Sequence, residues 1–442
     1  MNRKITTVVG LAAAVSLALV GCSSNGGETP AASTFPTGNV SISLSGWSLA
    51  TTPEFKTLAD GFHALHPNVT VNIKEYDPAN YDTLLTADLG ANSAPDIITQ
   101  KTFKQFFSYV DGGALADISD VTGKLPASTN AKDSYTIDGK SYGVPYRQDS
   151  WVLYYNKDLF DKAGVKYPDG SWTWDDYAKA AKDLTTGLKA AGSSALGTYE
   201  HSWQSTVQGF ANAQSANGLE NIVAGNFDHL KPYYTRVLDL QTAGAQVPLG
   251  TVTTNKLTYQ AQFGKQQAAM MPMGTWYVAT LLSQAAKGDA DKFNWGFAPA
   301  PQFDKSTAGI DKTPVTFGDP TGFSINASLS DADKLAVAKA FLEYAAGPEG
   351  AKALAAIGIT PANTDDTVVS TYFSVAGIPT DDLSKFAWAK HTTKPENPVS
   401  KYTAGVQNIL NTLHTAVLAG GTPIDQAISD AENQAKTTVL NQ

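Results

Sequence analysis

The sequence predicts an α/β protein that folds into two lobes. About 400 of the 442 residues follow the N-terminal 38, which is more than the ~250–300 residues at which a single hydrophobic core stops growing. Strands and helices alternate at the beginning of this long segment. Because crossovers between parallel strands are right-handed, a β-α-β-α-β series folds into a parallel sheet covered by helices.

Periodicity identifies the five elements of this series. Val40–Leu44 alternates apolar and polar residues, as a strand does. Pro53–Leu65 has helical spacing, with proline at its first turn. Val69–Ile73 is predicted to be a second strand, Tyr81–Leu89 a second helix, and Asp96–Ile98 a short buried strand.

The residues that follow these strands are the first candidates for a binding site. In parallel sheets, ligands bind beyond the carboxyl ends of the strands. Gly46–Ser48 follows the first strand and Thr99–Lys101 follows the third. Trp47 and Gln100 are therefore expected to lie at one edge of the sheet.

The N-terminus has the pattern of a lipoprotein signal peptide. Arg3 and Lys4 precede sixteen uncharged residues, Ile5–Val20, a stretch shorter than the ~20 residues of a membrane-spanning helix. Residues 19–22 (LVGC) resemble the bacterial lipobox, in which Cys22 becomes the lipid-modified first mature residue. The alternative is a plain signal peptide with a chance cysteine. Residues 23–38 are small, polar and rich in Pro and Gly, so they are expected to form a flexible tether.

Charge and cysteine content exclude several classes of protein. The formal net charge is −9 and becomes about −11 without Arg3 and Lys4, which argues against nucleic acid as a partner. Cys22 is the only cysteine, so the chain cannot form an internal disulfide or a thiolate metal cluster. His63 and His66 lack a His-Glu-x-x-His arrangement, so we expect no metal site, and no motif indicates a cofactor.

The middle of the chain carries the most specific motifs. Asp138 and Gly139 form a predicted hairpin turn within 134–142 (SYTIDGKSY). Further motifs follow in the order 142–146 (YGVPY), 151–160 (WVLYYNKDLF), 172–177 (WTWDDY), 263–271 (FGKQQAAMM), 274–276 (GTW), 322–326 (GFSIN), 338–344 (AKAFLEY), 347–350 (GPEG) and 359–362 (ITPA). Together they resemble the family 1 extracellular solute-binding proteins of the maltose-binding type, over nearly all of the mature chain.

This resemblance implies a two-lobed periplasmic-binding-protein-like fold of type II. It places residues 39–147 and 300–358 in an N-terminal lobe and residues 148–299 and 359–442 in a C-terminal lobe, with a crossing near Phe297–Pro301. It also implies a monomeric, non-enzymatic receptor, anchored by lipid to the outer face of the bacterial cell membrane. Such a receptor captures a sugar by lobe closure and delivers it to the permease of an ABC importer.

The resemblance and the chemistry of sugars together select the candidate ligand-binding residues. A pyranose has apolar C–H faces and a rim of hydroxyls, so its site needs aromatic platforms and oriented hydrogen-bonding groups. At the Gln100 position, some sugar binders of the family carry an aromatic residue. The candidates are Trp47, Gln100, Arg147, Asp149, Trp203, Trp276 and Asp319.

Other tryptophans and tyrosines are interpreted differently. Trp172 and Trp174 lie in a predicted helix-capping region and are expected to be structural. Tyr154 and Tyr155 lie in an apolar strand and are expected to belong to the core. The sequence does not decide whether Trp388 and Tyr402 reach the cleft. For each candidate tryptophan, the alternative role is packing in the core.

Two alternatives to a sugar receptor stay open at this point. A secreted glycoside hydrolase would also use tryptophans and a pair of carboxylates, for which Asp149 and Asp319 are available. A receptor of the same fold could instead carry iron, a polyamine or an anion. An iron site would favour clustered tyrosines at strand ends, and a polyamine site would favour several acidic groups with aromatic residues.

Overall fold

The computed structural model describes residues 35–441. The predicted signal peptide, Cys22 and the tether up to residue 34 lie outside the described residues. The strands are β1 Val40–Trp47, β2 Val69–Tyr76, β3 Ile97–Gln100, β4 Thr136–Ile137, β5 Lys140–Ser141, β6 Val144–Arg147, β7 Trp151–Asn156, β8 Leu196–Thr198, β9 Ala268–Gly274, β10 Trp295–Pro299, β11 Val315–Phe317, β12 Thr321–Ile325 and β13 Thr392–Lys394.

The helices lie between these strands and dominate the last quarter of the chain. They are α1 Glu54–Leu65, α2 Tyr81–Gly90, α3 Phe106–Asp111, α4 Ser119–Thr122, α5 Lys157–Ala163, α6 Trp174–Ala190, α7 Ser205–Gln214, α8 Gly218–Ala224, α9 Lys231–Thr242, α10 Leu249–Thr254, α11 Tyr259–Gly264, α12 Tyr277–Lys287, α13 Ala332–Ala346, α14 Pro348–Ala355, α15 Asp366–Phe373, α16 Asp382–Ala389, α17 Thr403–Leu418 and α18 Ile424–Ala435. A 3₁₀ turn covers Asp228–Leu230 and a π-helical turn covers Lys436–Leu440.

The predicted β-α-β-α-β series is confirmed, and its strands are longer than the sequence pattern indicates. Strands β1 and β2 pair in parallel over their full length, and β1 pairs with β3 in parallel at Leu44 and Ile97. Strand β1 continues beyond its alternating part to Trp47. Ser45 is fully buried there, and its hydroxyl contacts Tyr81 Oη at 2.8 Å and accepts from the Thr99 amide at 2.7 Å.

Two separate sheets organise the molecule. The first sheet has the order β2-β1-β3-β12-β6, and β12 runs antiparallel to both β3 and β6. It is therefore mixed and not wholly parallel, because one of its central strands arrives from a distant part of the chain. The second sheet has the order β10-β7-β9-β8, with β7 antiparallel to both of its neighbours.

Each sheet has its own hydrophobic core, and we call the two halves the first and second lobes. The first core includes Leu44, Phe323 and Phe341, and the second includes Tyr154, Phe210 and Phe317. Strand β10 pairs along its length with β7 inside the second sheet. We therefore propose that the second lobe extends to Phe317 and that the chain recrosses at 318–320 rather than near residue 300.

Local sequence signals explain two turns. Asp138 and Gly139 both have positive φ, 51° and 75°, as a tight hairpin turn between β4 and β5 requires. Thr173 and Asp176 form a capping box at the start of α6, so the predicted capping region is confirmed. Trp174 is buried beneath the guanidinium of Arg236, which lies 3.9 Å from its ring, and has the structural role that the sequence predicts.

Strand β8 lies so close to helix α6 that it leaves no room for a side chain. A Cβ atom at Gly197 would lie 1.9 Å from the carbonyl oxygen of Ala181, a contact between two backbones. Neither backbone can move without disturbing its own hydrogen bonds. Gly197 therefore fixes the distance between the second sheet and its covering helix.

Gly197→Ala is expected to lower the free energy of unfolding by about 1–3 kcal/mol, because the added methyl group overpacks this contact. Gly250→Ala is the matched control: a Cβ there meets no atom within 4 Å, and alanine favours helix α10 by roughly 0.5–1 kcal/mol. Urea unfolding of both variants measures the difference. Equal midpoints would contradict the tight contact.

Candidate functional site

With these proposed boundaries, three segments connect the two lobes. Residues 148–150 lie between β6 and β7, residues 318–320 between β11 and β12, and residues 360–365 between Ile359 of the first core and helix α15. Backbone hydrogen bonds join the first and third segments, from the Gln148 amide to Thr360 O at 3.2 Å and from the Ala362 amide to Tyr146 O at 3.0 Å.

The crossing segments separate two cavities. Because side chains alternate along an extended backbone, Arg147, Asp149 and Trp151 face one cavity, whereas Gln148 and Ser150 face the other. We call the first the front cleft, of about 400 Å³, and the second the rear cavity, of about 480 Å³. Both cavities are lined by residues of both lobes.

The front cleft has two walls of different chemistry. The wall from the first lobe is mostly polar, with Trp47, Ser48, Thr51, Thr52, Lys101 and Thr102. The wall from the second lobe carries four aromatic residues, and we call it the aromatic wall: Trp151, Trp203, Tyr259 and Trp276, with the polar residues Ser205, Gln260, Thr280 and Glu396 among them. Arg147, Asp149, Asp319 and Thr321 lie between them. Six of the seven predicted site residues thus line one cleft.

Trp203 and Trp276 are the main flat surfaces of the aromatic wall. Trp203 is 40% exposed, and its ring packs against His201 and Tyr259 at centroid distances of 4.6 and 5.4 Å. Trp276 meets Trp151 edge to face at 5.4 Å. Its ring folds back over Gly274, where a Cβ atom would lie 1.8 Å from it, so the Gly-x-Trp motif has a steric reason.

Trp47 closes the polar wall at the end of β1. It is only 7% exposed and packs edge to face against Phe55 and Tyr81. The Lys101 ammonium lies 5.4 Å from its ring centroid and donates to Pro78 O at 2.6 Å. Burial lowers the pKa of Lys101, and the negative charge of Asp82 opposes this shift only in part. Trp47 is thus a packed residue with one edge at the cleft.

A buried charge network lies at the centre of the cleft. The Arg147 guanidinium contacts the Glu54 carboxylate, lies 2.8 Å from Asp149 Oδ2 and donates to Thr321 Oγ1 at 3.1 Å. Asp149 Oδ1 accepts from Thr275 Oγ1 at 2.7 Å. Burial raises the pKa of both Glu54 and Asp149, and the positive charge of Arg147 opposes that rise.

Asp319 joins the two lobes. Its Oδ2 accepts from the Phe103 amide at 2.9 Å and from Asn397 Nδ2 at 2.7 Å. Its Oδ1 accepts from the amides of Glu396 and Asn397 at 2.7 and 3.2 Å. Burial raises the pKa of Asp319, but these four donors lower it. Phe103 belongs to the first core, so the carboxylate is a joint between the first lobe and the loop after β13.

Gln100 lies outside the front cleft. It is 2% exposed and donates through Nε2 to Ser324 Oγ at 3.1 Å within the first sheet. Its position is still part of β3, paired with Gly322, and the chain reaches the cleft one residue later at Lys101. Trp388 lines the rear cavity, where it stacks on Tyr372 at 4.8 Å, and Tyr402 lines neither cavity.

Lys101 lines the cleft and was among the first candidates after the third strand, although the residues matched to sugar chemistry did not include it. Tyr259 and Glu396 also line the cleft but were not selected from the sequence. They carry no sequence signal, because their places depend on packing between distant segments. Burial raises the pKa of Tyr259 to about 12, so its hydroxyl stays protonated near neutral pH.

Residues 35–441 contain no group of three or more His, Cys, Asp or Glu side chains placed to hold a metal ion. His63 Nδ1 instead lies 2.6 Å from the Val69 carbonyl oxygen.

Among residues 35–441, no helix has both the length and the apolar composition to cross a membrane. Tyr154 and Tyr155 are buried in the second core, as predicted.

Comparison with known proteins places the chain among binding proteins. A family model described as bacterial extracellular solute-binding protein matches residues 46–352. A putative binding protein of Brucella abortus is 27% identical over 285 residues, which are 61% of this chain and 65% of that protein. A lactose-binding protein of Rhizobium radiobacter is 30% identical over 137 residues, 29% of this chain and 32% of that protein. The chain thus spans less than two-thirds of these relatives' length.

A solved structure is similar over almost the whole chain. A sugar transporter of Rhizobium etli in an open conformation has a TM-score of 0.72 and 31% identity, and the match covers 90% of this chain and 99% of that one. The predicted two-lobed periplasmic-binding-protein-like fold is therefore confirmed. With a family model matched over more than half of its residues, this chain belongs to the bacterial extracellular solute-binding protein family.

Proposed function

We propose that this protein is the extracytoplasmic substrate-binding subunit of an ABC importer and that its ligand is a sugar, a di- or oligosaccharide. The observation that carries this proposal is the front cleft, with an aromatic wall on one lobe and a hydrogen-bonding wall on the other. The names of two relatives, a sugar transporter and a lactose-binding protein, support the same ligand class.

The two walls match the two kinds of surface that a sugar presents. Aromatic rings such as Trp203 and Trp276 pack against the apolar C–H faces of a pyranose. The hydroxyls of Thr51 and Thr52 and the ammonium of Lys101 are available to hydrogen-bond the ring hydroxyls. A cleft of about 400 Å³ falls within the usual range for small-molecule sites.

Capture by closure follows from the position of this cleft between the lobes. A ligand that contacts both walls binds the closed form better than the open form, so it shifts the population toward closure. The crossing segments 148–150, 318–320 and 360–365 are the candidate hinges. Asp149 lies on the first of them and Arg147 directly before it at the end of β6, and in this proposal they shape the centre of the site.

We propose that the receptor does no chemistry on its ligand. A glycoside hydrolase needs one carboxyl group as an acid and a second as a base or nucleophile. Asp149 is held by Thr275 and Arg147, and Asp319 by four donors, which makes both poorly suited to transfer protons to a sugar. A glycoside incubated with the protein should therefore be recovered intact.

The other ligand classes find less support in the cleft. Iron sites favour clustered tyrosines, and Tyr259 is the one tyrosine among the residues that line the described cleft. An anion would need free cations, but of the two that line the described cleft Arg147 is paired with two carboxylates, which leaves Lys101. A polyamine would need several free carboxylates, but Asp149 and Asp319 are already bonded within the protein, which leaves Glu396 among those that line the cleft.

A thermal-shift screen tests the ligand class. We expect lactose, maltotriose or arabinotriose to raise the unfolding temperature, because a ligand at 100 times its dissociation constant adds about 2.7 kcal/mol of stability. Spermidine, ferric citrate and phosphate serve as the comparison set. A shift with one of these, and with none of the saccharides, would overturn the sugar assignment.

Trp203→Ala is expected to weaken saccharide binding roughly tenfold, because it removes an aromatic platform at small cost to the core. Phe303→Ala is the control, since Phe303 is 55% exposed and does not line the cleft. Isothermal titration with the best saccharide of the screen measures both. Equal losses of affinity in the two variants would argue against a platform at Trp203.

The lipid anchor at Cys22 is also a proposal, and the lipobox-like segment supports it. An anchor would hold the receptor near its permease and raise their effective concentration. Cys22→Ser is expected to move the protein from the membrane fraction to the medium when it is expressed in a bacterium that processes lipoproteins. Retention of the variant in the membrane fraction would contradict lipid attachment at this residue.

A further inference from the structure

The carboxylates of the front cleft differ in how much hydrogen-bonding capacity they have left. Asp149, Asp319 and Glu396 line the cleft. A carboxylate that contributes to ligand binding needs an oxygen that is open to the cleft and not already bonded within the protein. Counting the donors to each oxygen therefore separates carboxylates that build the site from one that contacts a ligand.

Asp149 and Asp319 are occupied by the protein itself. One carboxylate oxygen of Asp149 accepts a hydrogen bond from Thr275 Oγ1, and the other is paired with the Arg147 guanidinium. Asp319 has two donors on each oxygen, and both of these side chains are less than 10% exposed. Each can lose its present partners only at the cost of a buried, unpaired charge.

One carboxylate oxygen of Glu396 is free of hydrogen bonds from the described residues. Its Oε1 accepts from Ser205 Oγ, while Oε2 accepts no hydrogen bond from any residue in 35–441 and is not enclosed by the protein. The Glu396 amide donates to Asp319 Oδ1 at 2.7 Å, so the backbone of this residue is fixed to the joint between the lobes. The carboxylate is thus held in place at one oxygen and open at the other.

The groups around Glu396 shift the ionisation of its carboxyl group. Burial and then the charge of Asp319 raise the pKa of Glu396 to about 7, and Ser205 lowers it in part. Burial raises the pKa of Asp319 as well, and its four donors oppose that rise. Lys101, Arg147, Asp149 and Tyr259 line the same cleft, and His201, behind Trp203, has its pKa lowered by burial to about 4.

We propose that Glu396 is the cleft carboxylate that accepts hydrogen bonds from the hydroxyls of the bound saccharide and so determines its affinity and orientation. This inference rests on the proposed sugar-binding function. Ser205 and Asp319 position the side chain, and the open oxygen receives the ligand. A saccharide that lacks the contacted hydroxyl leaves this oxygen unpaired in a closed cleft and is rejected for that reason.

The ionisation of Glu396 gives the proposal a signature in the pH profile. The carboxylate accepts charge-assisted hydrogen bonds above its pKa, and the neutral acid below it is a weaker acceptor. Affinity for a neutral saccharide should therefore fall as the pH falls through about 7. A structural role in folding alone would not produce this dependence in the binding constant of the folded protein.

The experiment is isothermal titration of wild type, Glu396→Gln and Glu396→Asp across this pH range. The probe is the saccharide among lactose, maltotriose and arabinotriose that gives the largest thermal shift. We expect Glu396→Gln to weaken binding roughly tenfold to hundredfold above pH 7 and to abolish the pH dependence. Glu396→Asp keeps the charge on a shorter side chain, so it should weaken binding and retain a pH dependence.

Glu220→Gln is the matched control, because Glu220 is an exposed carboxylate on α8, outside the cleft, and its variant should bind as wild type does. Wild-type affinity and pH dependence in Glu396→Gln would overturn the role of Glu396 and leave the sugar receptor intact. If wild type bound none of the saccharides, the proposed function would fail, and the role of Glu396 with it. If Glu396→Gln is unfolded in the absence of ligand, the titration of Glu396→Asp decides whether Glu396 contacts the saccharide.

Discussion

The buried guanidinium of Arg147 is the interaction on which the centre of this molecule depends. It stands at the end of β6, where the chain leaves the first lobe, and it contacts Glu54 at the start of α1, Thr321 at the start of β12 and Asp149 on the crossing segment. Two buried carboxylates therefore share one cation. Because a buried charge without a partner costs several kcal/mol, this arrangement holds a helix, a strand and a hinge segment in one geometry.

The same crossing segment also divides the space between the lobes. The side chains of this segment point alternately into the front cleft and the rear cavity. Charged residues line the front cleft. The described residues that line the rear cavity include no Asp, Glu, Lys or Arg. At the second crossing, a Cβ atom at Gly318 would lie 2.3 Å from Asp149 O, so a side chain there would push the two crossing segments apart. Thin, closely packed segments with open space on both sides are the candidate hinges of the proposed closure.

Strand positions could be predicted where the sequence carries a local signal. The period-two pattern of Val40–Leu44, the hairpin at Asp138 and the capping box at Thr173 all depend on neighbouring residues, and all three are found in the structure. Strand β12 lies antiparallel between β3 and β6, although it comes more than 170 residues after β6 in the sequence. Local periodicity contains no information about such a pairing, which is why the sequence predicts only the parallel part of this sheet.

The site shows the same division between local and distant information. The motif Gly-x-Trp placed Trp276 correctly beside the cleft, because Gly274 and Trp276 make their own steric contact. Gln100 was misplaced by one residue, since a strand end cannot be located that finely from sequence. Glu396 lies in a loop without a motif, and it reaches the cleft only because Asp319, 77 residues earlier, bonds its amide.

That bond to Asp319 ties Glu396 to the segments between the lobes. Asp319 holds Phe103 of the first lobe and Asn397 beyond the second sheet at the same time, so rotation of the lobes must pivot near this carboxylate or break its hydrogen bonds. Glu396 is bonded to this carboxylate through its own amide, and its side chain accepts from Ser205, which lies two residues after Trp203. The side chain of Glu396 and the ring of Trp203 are therefore fixed to the same lobe, and the Ser205 contact keeps the carboxylate beside the aromatic wall.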